Sequence, residues 1–417
     1  MTMHRRRFMG VAAIGGLAAS LPATCWAADD FAGLSSMAKD TQPIGADELQ
    51  ARLAKAAGLL RAHDMDALLI EPGASLIYFT GIHWWRSERL TAAVLTREGE
   101  VAIVTPFFEE PSVRESLSVE AELLTWDEDE NPLGAVSAWL SRRGFAKGRI
   151  GVEETVRYFA VDGLQKAMPG ATLVNGAPVV RGCRMIKSAT EIALMQLATD
   201  ITIKAYRYTA PRVEAGMTPA DIGAIMNGAT RALGGSPEFA LVLLGEASAY
   251  PHGSGQPQRV REGEVVLMDC GCNVHGYQSD VSRSWVHGTA TARQRQVWEQ
   301  MRKGQLVAFK AAKIGVPAGS VDDAVRTYYE GLGYGPGYKL PGTSHRTGHG
   351  IGLDGHEPVN LVRGETTKLA PGMCFSNEPG IYIPGEFGIR LEDCFYMTAS
   401  GPKWFSEPPV SIDNPIG

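Results

Sequence analysis

The side chains best able to do chemistry in this sequence fall in two short stretches and at a histidine between them. In Glu264–Val286, the apolar run Val265-Val-Leu-Met268 leads into Asp269, Asn273–Gly276 can turn, and Tyr277–Trp285 returns with Asp280 on it. A hairpin symmetric about a turn between Val274 and His275 sets Asp269 directly opposite Asp280. In Met373–Tyr396, Glu378 follows Cys374-Phe-Ser-Asn377, Pro384-Gly-Glu386 turns, and Ile389-Arg-Leu391 leads to Glu392. Symmetry about Gly385 then sets Glu378 opposite Glu392. Like charges facing each other across adjacent strands destabilise a sheet unless something neutralises them. The neutralising partner is either a nearby cation, Arg283 or Arg390, or a bound metal ion, and two independent acidic pairs favour metal.

Between the two stretches lies Gly348-His349-Gly350-Ile351-Gly352, followed by His356-Glu357-Pro358. A histidine flanked by glycines has backbone close by and nothing bulky to screen its ring, which suits a ligand or a substrate contact. Four carboxylates and one imidazole make a hard, oxygen-rich donor set for two divalent ions that share bridging carboxylates. Two such ions ~3.5–4 Å apart would activate a bridging water as hydroxide and polarise a carbonyl. Mn²⁺ suits the set best, with Co²⁺, Zn²⁺ and Fe²⁺ compatible. Cys270 and Cys272 have no second cysteine pair to complete a zinc site, and they read as small buried strand residues.

The elements that must position these groups follow from periodicity. Leu49, Leu53, Ala56 and Leu60 recur at helical spacing over Asp47–His63, and Asp66–Ile70, Leu76–Phe79, Thr91–Thr96 and Val101–Thr105 read as strands. A helix at Leu133–Leu140 and a strand at Ile150–Val152 continue an α/β alternation that ends near Val180. Ser188 and Glu191 form a capping box that opens a long helix. Further helices are predicted at Pro219–Leu233, Arg293–Lys313 and Val321–Leu332. Strands at Phe239–Leu244, Glu264–Asp269, Gly276–Val286 and beyond Met373 are mixed with them, which favours α+β for this half.

Composition bounds the rest. The 417 residues are 44% hydrophobic and 21% charged with a net charge of −6, enough apolar matter for a real core and no basic excess to hold nucleic acid. Arg5-Arg-Arg-Phe8, a small-residue apolar run over Met9–Leu21 and small residues up to Ala28 read as a twin-arginine signal peptide over 1–28. That leader predicts an exported, periplasmic protein with no membrane span after cleavage, a tethered form being the alternative. Cleavage would leave five cysteines, an odd number that is no disulfide framework.

The runs Asp269-Cys-Gly-Cys-Asn-Val-His-Gly-Tyr-Gln-Ser-Asp280, Gly348-His-Gly-Ile-Gly352 with His356-Glu357, Asn377-Glu-Pro-Gly380 and Gly388-Ile-Arg-Leu-Glu-Asp393 resemble the pita-bread metallopeptidases. That family includes prolidase, aminopeptidase P, methionine aminopeptidase and the non-metallo relative creatinase. The Leu68–Gly81 region resembles its creatinase-type N-terminal domain. The resemblance implies an α+β chain, with a pita-bread catalytic domain over 185–410 preceded by an α/β creatinase-type domain over 46–180. It implies that Asp269 binds one metal, His349 and Glu378 the other, and that Asp280 and Glu392 bridge both. Glu378 would also be the general base. His252 matches the family's substrate-side histidine and His356 the one that steadies the tetrahedral intermediate. Arg390, beside Glu392, would fix a metal-bound carboxylate near the substrate.

The complete ligand set disfavours creatinase's metal-free route, and Gly271 stands where the sulfonium-lyase relatives carry an aspartate. An N-terminal domain of ~130 residues argues against methionine aminopeptidase. Prolidase and aminopeptidase P remain, both cleaving before proline, where the tertiary amide has no N–H. The implied substrates are small proline-containing peptides and the implied assembly is a homodimer. Arg363 lies where prolidases place an arginine that clamps a dipeptide's carboxylate, although its spacing from His356 is longer. Trp84 and Trp85 could line a neighbouring subunit's pocket. The alternatives are another small amide or zwitterion hydrolase or lyase of this fold, and a non-catalytic binding module.

Overall fold

The computed structural model describes residues 31–416. The signal peptide expected over 1–28 lies outside the described residues.

The four-residue strand Ala67–Ile70 lies inside a six-stranded sheet, and all four of its side chains are buried. Leu68 and Ile70 join one apolar cluster while Ala67 and Leu69 join another, as alternation along a strand requires when both faces are covered. The helix Ala46–Ala62 packs on one face through Leu49, Leu53, Ala56 and Leu60. The helices Pro132–Arg142 and Tyr158–Ala167 cover the other through Val136, Trp139, Leu140 and Leu164. The sheet runs Glu122–Trp126, Val101–Pro106, Ala92–Thr96, Ala67–Ile70, Arg149–Val152, Thr172–Asn175, with antiparallel pairs in the middle and parallel ones outside. Leu76–Phe79, expected as a strand, belongs instead to the helix Ala74–Thr80, which ends at Gly81 in the left-handed conformation. A short apolar run fits a buried strand and a buried helical turn equally well, and here the tertiary setting decided.

The second half opens as expected. Ser188 and Glu191 close a capping box on the helix Ala189–Thr209. Its buried face continues the cluster beneath the first sheet into the strand Val265–Val274, so the two halves share one apolar core. The strands Val281–Val286, Val265–Val274 and Ser236–Leu244 lie side by side. A second sheet runs Glu357–Leu361, Gly348–Gly350, Cys374–Phe375, Phe395–Thr398, Gly401–Trp404. The helices Ala292–Ala311 and Gly319–Gly331 pack on a second core. A backbone bridge between Ser282 and Glu392 ties the two sheets together.

Register decides where the acidic residues point. Asp269 pairs with Ser282 rather than Asp280, because the turn falls at His275-Gly276, one residue later than the sequence suggested. Both turn residues have positive φ, 49° and 84°, the mirror-image turn that matches strand twist. Asp269 and Asp280 therefore share a face as diagonal neighbours. The second hairpin is symmetric about Gly385, with Ile381 paired to Ile389 and, further out, Phe375 to Phe395. Residues 376–380 and 390–394 leave that ladder, and Glu378 and Glu392 sit in the opening.

Candidate metal centre

The two acidic hairpins and the strand Gly348–Gly350 converge on one point. Oxygens of Asp269, Asp280 and Glu392 lie within 4.8 Å of one another, and so do ligand atoms of His349, Glu378 and Glu392. His349 Nε2 is 3.3 Å from Glu378 Oε1 and 3.7 Å from Asp280 Oδ2. Its Nδ1 donates to the Gly350 carbonyl at 3.1 Å, so in the neutral ring Nε2 keeps a lone pair for a cation, and in the protonated ring Nε2 donates to Glu378. Asp269 Oδ1, Asp280 Oδ1 and Glu392 Oε1 are buried without any hydrogen-bond partner. Buried acceptors are rarely left unmatched, and three converging ones beside a free imidazole nitrogen fit divalent cations.

The surrounding fold holds the cluster in place against its own repulsion. Arg390 is buried and donates to Asp269 Oδ2 at 2.6 Å, to Ser282 Oγ at 3.0 Å and to the Tyr382 hydroxyl at 3.1 Å. Ser282 in turn donates to Glu392 Oε2 at 2.8 Å. Arg283 faces away from the acids: it pairs with the fully buried Asp393 at 2.7 Å and donates to the Glu392 carbonyl, fixing the backbone that bears Glu392. Behind His349, the buried Asp322 accepts from the backbone and hydroxyl of Thr347, and Arg326 beside it donates to the His345 carbonyl. Of the two arginines the sequence offered as neutralisers, only Arg390 reaches a site carboxylate.

Burial, and then the neighbouring carboxylates, push Asp280 and Glu392 well above the ordinary carboxylate range. Burial also works to raise Glu378, but it is outweighed by the hydrogen bond from His349 and the charges of His345, His349 and Arg390, and the carboxyl falls to about 2. A single buried cluster thus holds acids driven in opposite directions, a frequent mark of functional sites.

A cavity of about 660 Å³ opens onto these groups. His252 and His356 line it, and the His356 ring stands 3.8 Å from that of His349. Arg363 does not line it: its guanidinium bonds Asp323 at 3.0 Å, both side chains being about half exposed. The arginines that line it are Arg390 and Arg346, and Nη2 of Arg346 donates to His356 Nδ1 at 3.1 Å. His345 also lines the cavity, bonded to the Tyr382 hydroxyl at 2.8 Å. The sequence reading passed over His345 and Arg346, although both stand within four residues of His349. Burial, with His349 and Arg346 nearby, lowers His356 to about 4. Trp84 and Trp85 stack at 4.8 Å on the N-terminal half, Trp85 being 67% exposed. Cys270 and Cys272 are free and buried, as are Cys183, Cys374 and Cys394.

Comparison with known proteins matches this geometry. Residues 193–399 match metallopeptidase family M24, and residues 52–186 match the creatinase/prolidase N-terminal domain. The chain is 35% identical over 355 residues to the probable dipeptidase PepE of Mycobacterium tuberculosis, covering 84% of this chain and 92% of that one. It is 27% identical over 366 residues to an Xaa-Pro dipeptidase of Pyrococcus horikoshii, covering 86% and 97%. The crystal structure of dipeptidase PepE from Mycobacterium ulcerans superposes with a TM-score of 0.82 at 30% identity, covering 88% of this chain and 98% of that one.

The expected exported, periplasmic location is corrected by the same comparisons. These relatives match over nearly their whole length, the family matches begin at residue 52, and the likeness gives no support to export. A basic triplet before small apolar residues is a compositional signal only. Among the described residues no helix is long and apolar enough to cross a membrane.

Proposed function

We propose, from the premise that this chain belongs to metallopeptidase family M24 and carries its creatinase/prolidase N-terminal domain, that it is a dinuclear metal-dependent peptidase cleaving the bond before proline in small peptides. The observation that carries this reading is the trio of partnerless buried oxygens on Asp269, Asp280 and Glu392, set beside His349 Nε2 and Glu378. Asp269, Asp280, His349, Glu378 and Glu392 would hold the two ions. Such a pair supplies an activated water at neutral pH and polarises a carbonyl. Mn²⁺ fits the hard donor set best, with Co²⁺, Zn²⁺ and Fe²⁺ also compatible.

The chain's own groups do the rest. Glu378 is ionised and placed to receive the proton of the attacking water. Because Arg346 occupies His356 Nδ1, the neutral ring keeps its hydrogen on Nε2, free to donate to the scissile carbonyl oxygen as it becomes anionic. His252 contacts the substrate from the cavity wall, and Arg390 keeps Asp269 oriented. No step needs an N–H on the scissile amide, which suits a bond to proline.

Among the described residues Arg346 is the cavity arginine with no carboxylate partner, so the clamp for a dipeptide's free carboxylate belongs there rather than at Arg363. This favours a dipeptidase over an aminopeptidase. A homodimer that presents the Trp84–Trp85 pair to the second copy's cavity completes the proposal. The test is to strip the protein with chelator, reload it with Mn²⁺, and compare Xaa-Pro with Xaa-Pro-Yaa peptides alongside metal analysis. Cleavage of Xaa-Pro that follows metal content supports the reading, and a reloaded protein inert toward both classes refutes it.

A further inference from the structure

The turn that carries His356 is gripped by two cations from the segment that joins the halves of the chain. The helix Ala177–Arg184 ends at Arg184, the helix Ala189–Thr209 is capped by Ser188, and Lys187 lies between them. Glu357, next to His356, is buried, and its carboxylate accepts from Lys187 through one oxygen and from Arg184 through the other. The same Arg184 nitrogen donates to Asp354 Oδ2 at 2.8 Å, two residues before His356. One guanidinium therefore brackets the histidine. Gly352 closes the grip from beneath: a Cβ there would come within 2.6 Å of the Glu357 carboxylate and 2.8 Å of Lys187 Cε.

The contacts continue into the first half of the chain. Arg184 Nη1 donates to Ser75 Oγ at 3.0 Å, and Ser75 Oγ donates to Glu153 Oε1 at 3.3 Å. His356 itself is exposed, and its one hydrogen bond among the described residues is the one to Arg346. Apart from that bond and its contact with the His349 ring, its backbone fixes its ring. The side chains of Lys187 and Glu357 are only 1% and 4% exposed, and Arg184 is 10%. Burying two cations with a carboxylate carries a heavy desolvation cost, and apolar packing would stabilise the junction at least as well. What charged hydrogen bonds add is direction.

We propose that Arg184 and Lys187 are positioning residues for His356, fixing residues 352–357 so that its imidazole stands against His349, and that the N-terminal half thereby supports the reaction. The inference rests on the peptidase reading above. It is tested by a double-mutant cycle on the metal-loaded full chain with an Xaa-Pro dipeptide. Arg184→Lys keeps the charge but cannot bracket Glu357 and Asp354 together. It is expected to lower kcat about tenfold, with KM changed less than about threefold and metal content unaltered. In a His356→Ala background the same substitution should cost about twofold or less, since the group it positions is gone. Asp354→Asn, on a side chain 49% exposed, should act in the same direction more weakly, and runs the same cycle should Arg184→Lys fail to fold. Equal losses in both backgrounds, or an undiminished kcat in Arg184→Lys, overturn the positioning role alone. A His356→Ala protein with full kcat overturns the role given to His356 and this inference with it.

Discussion

Replacing Asp280 by Asn should stabilise the protein without metal and destabilise it with metal. Oxygens of Asp269, Asp280 and Glu392 lie within 4.8 Å of one another in a buried site. At that separation and an effective dielectric near 20, each ionised pair repels by about 3 kcal/mol. Arg390 pairs directly only with Asp269, and burial together with the neighbouring carboxylates outweighs its more distant charge at the other two acids, so both are pushed well above the usual range. An acid whose folded pKa is raised opposes folding at every pH above its unfolded value, here 3.8, and the penalty grows until the folded pKa is reached. Asn keeps the shape, removes that penalty, and can donate to the partnerless oxygen on Glu392. After allowance for partial protonation, a net gain of about 1–3 kcal/mol is expected in chelator at pH 7, shrinking as the pH approaches 4. With metal the order reverses, because the wild type gains ligand-linked stability that the variant has lost. Urea denaturation of both proteins, with excess chelator and with excess Mn²⁺, reads this crossover directly. A chelated variant no more stable than chelated wild type refutes the electrostatic reasoning, and an unchanged response to metal refutes the ligand assignment.

Burial works to raise Glu357 but is outweighed by Lys187 and Arg184, so its folded pKa lies below the unfolded 4.5. Its stabilisation is whole above that value and lost as pH falls through the lower one, so Glu357→Gln should flatten the fall in urea midpoint below about pH 4.5. An unaltered acid limb contradicts this. Arg363→Ala should leave kcat/KM on Xaa-Pro dipeptides within about twofold, because its pair with Asp323 is a surface one. Arg346→Ala should raise KM about tenfold for dipeptides with a free carboxylate and far less for their amides, a loss of about 1.4 kcal/mol that steady-state kinetics resolves. Asp393→Asn, which breaks the fully buried pair with Arg283, should cost about 3–5 kcal/mol in denaturation experiments and lower metal content through Glu392.

Local pattern made much of this protein legible from its sequence. The capping box at Ser188 and the helix from Ala46 rest on contacts within a few residues, which are written in spacing, and the short apolar run at Ala67 marks a buried strand whatever partners it finds. The symmetry of the second hairpin about Gly385 was legible for the same reason. In the first hairpin the left-handed conformation of His275 moved the turn by one residue and set Asp269 diagonal to Asp280. Other features came only from the tertiary structure. Arg363 and Arg346 are equally arginine in sequence, yet one bonds a surface aspartate and the other enters the cavity, because Asp322 and Arg326 fix the backbone between Thr343 and His349. The grip of Lys187 and Arg184 on Glu357 spans some 170 residues. Sequence by itself determined which donors are present and the local elements that carry them. Which of them meet, and which lose their charge, was decided by long-range packing, since burial and the approach of distant charges set both and neither is a property of neighbouring residues.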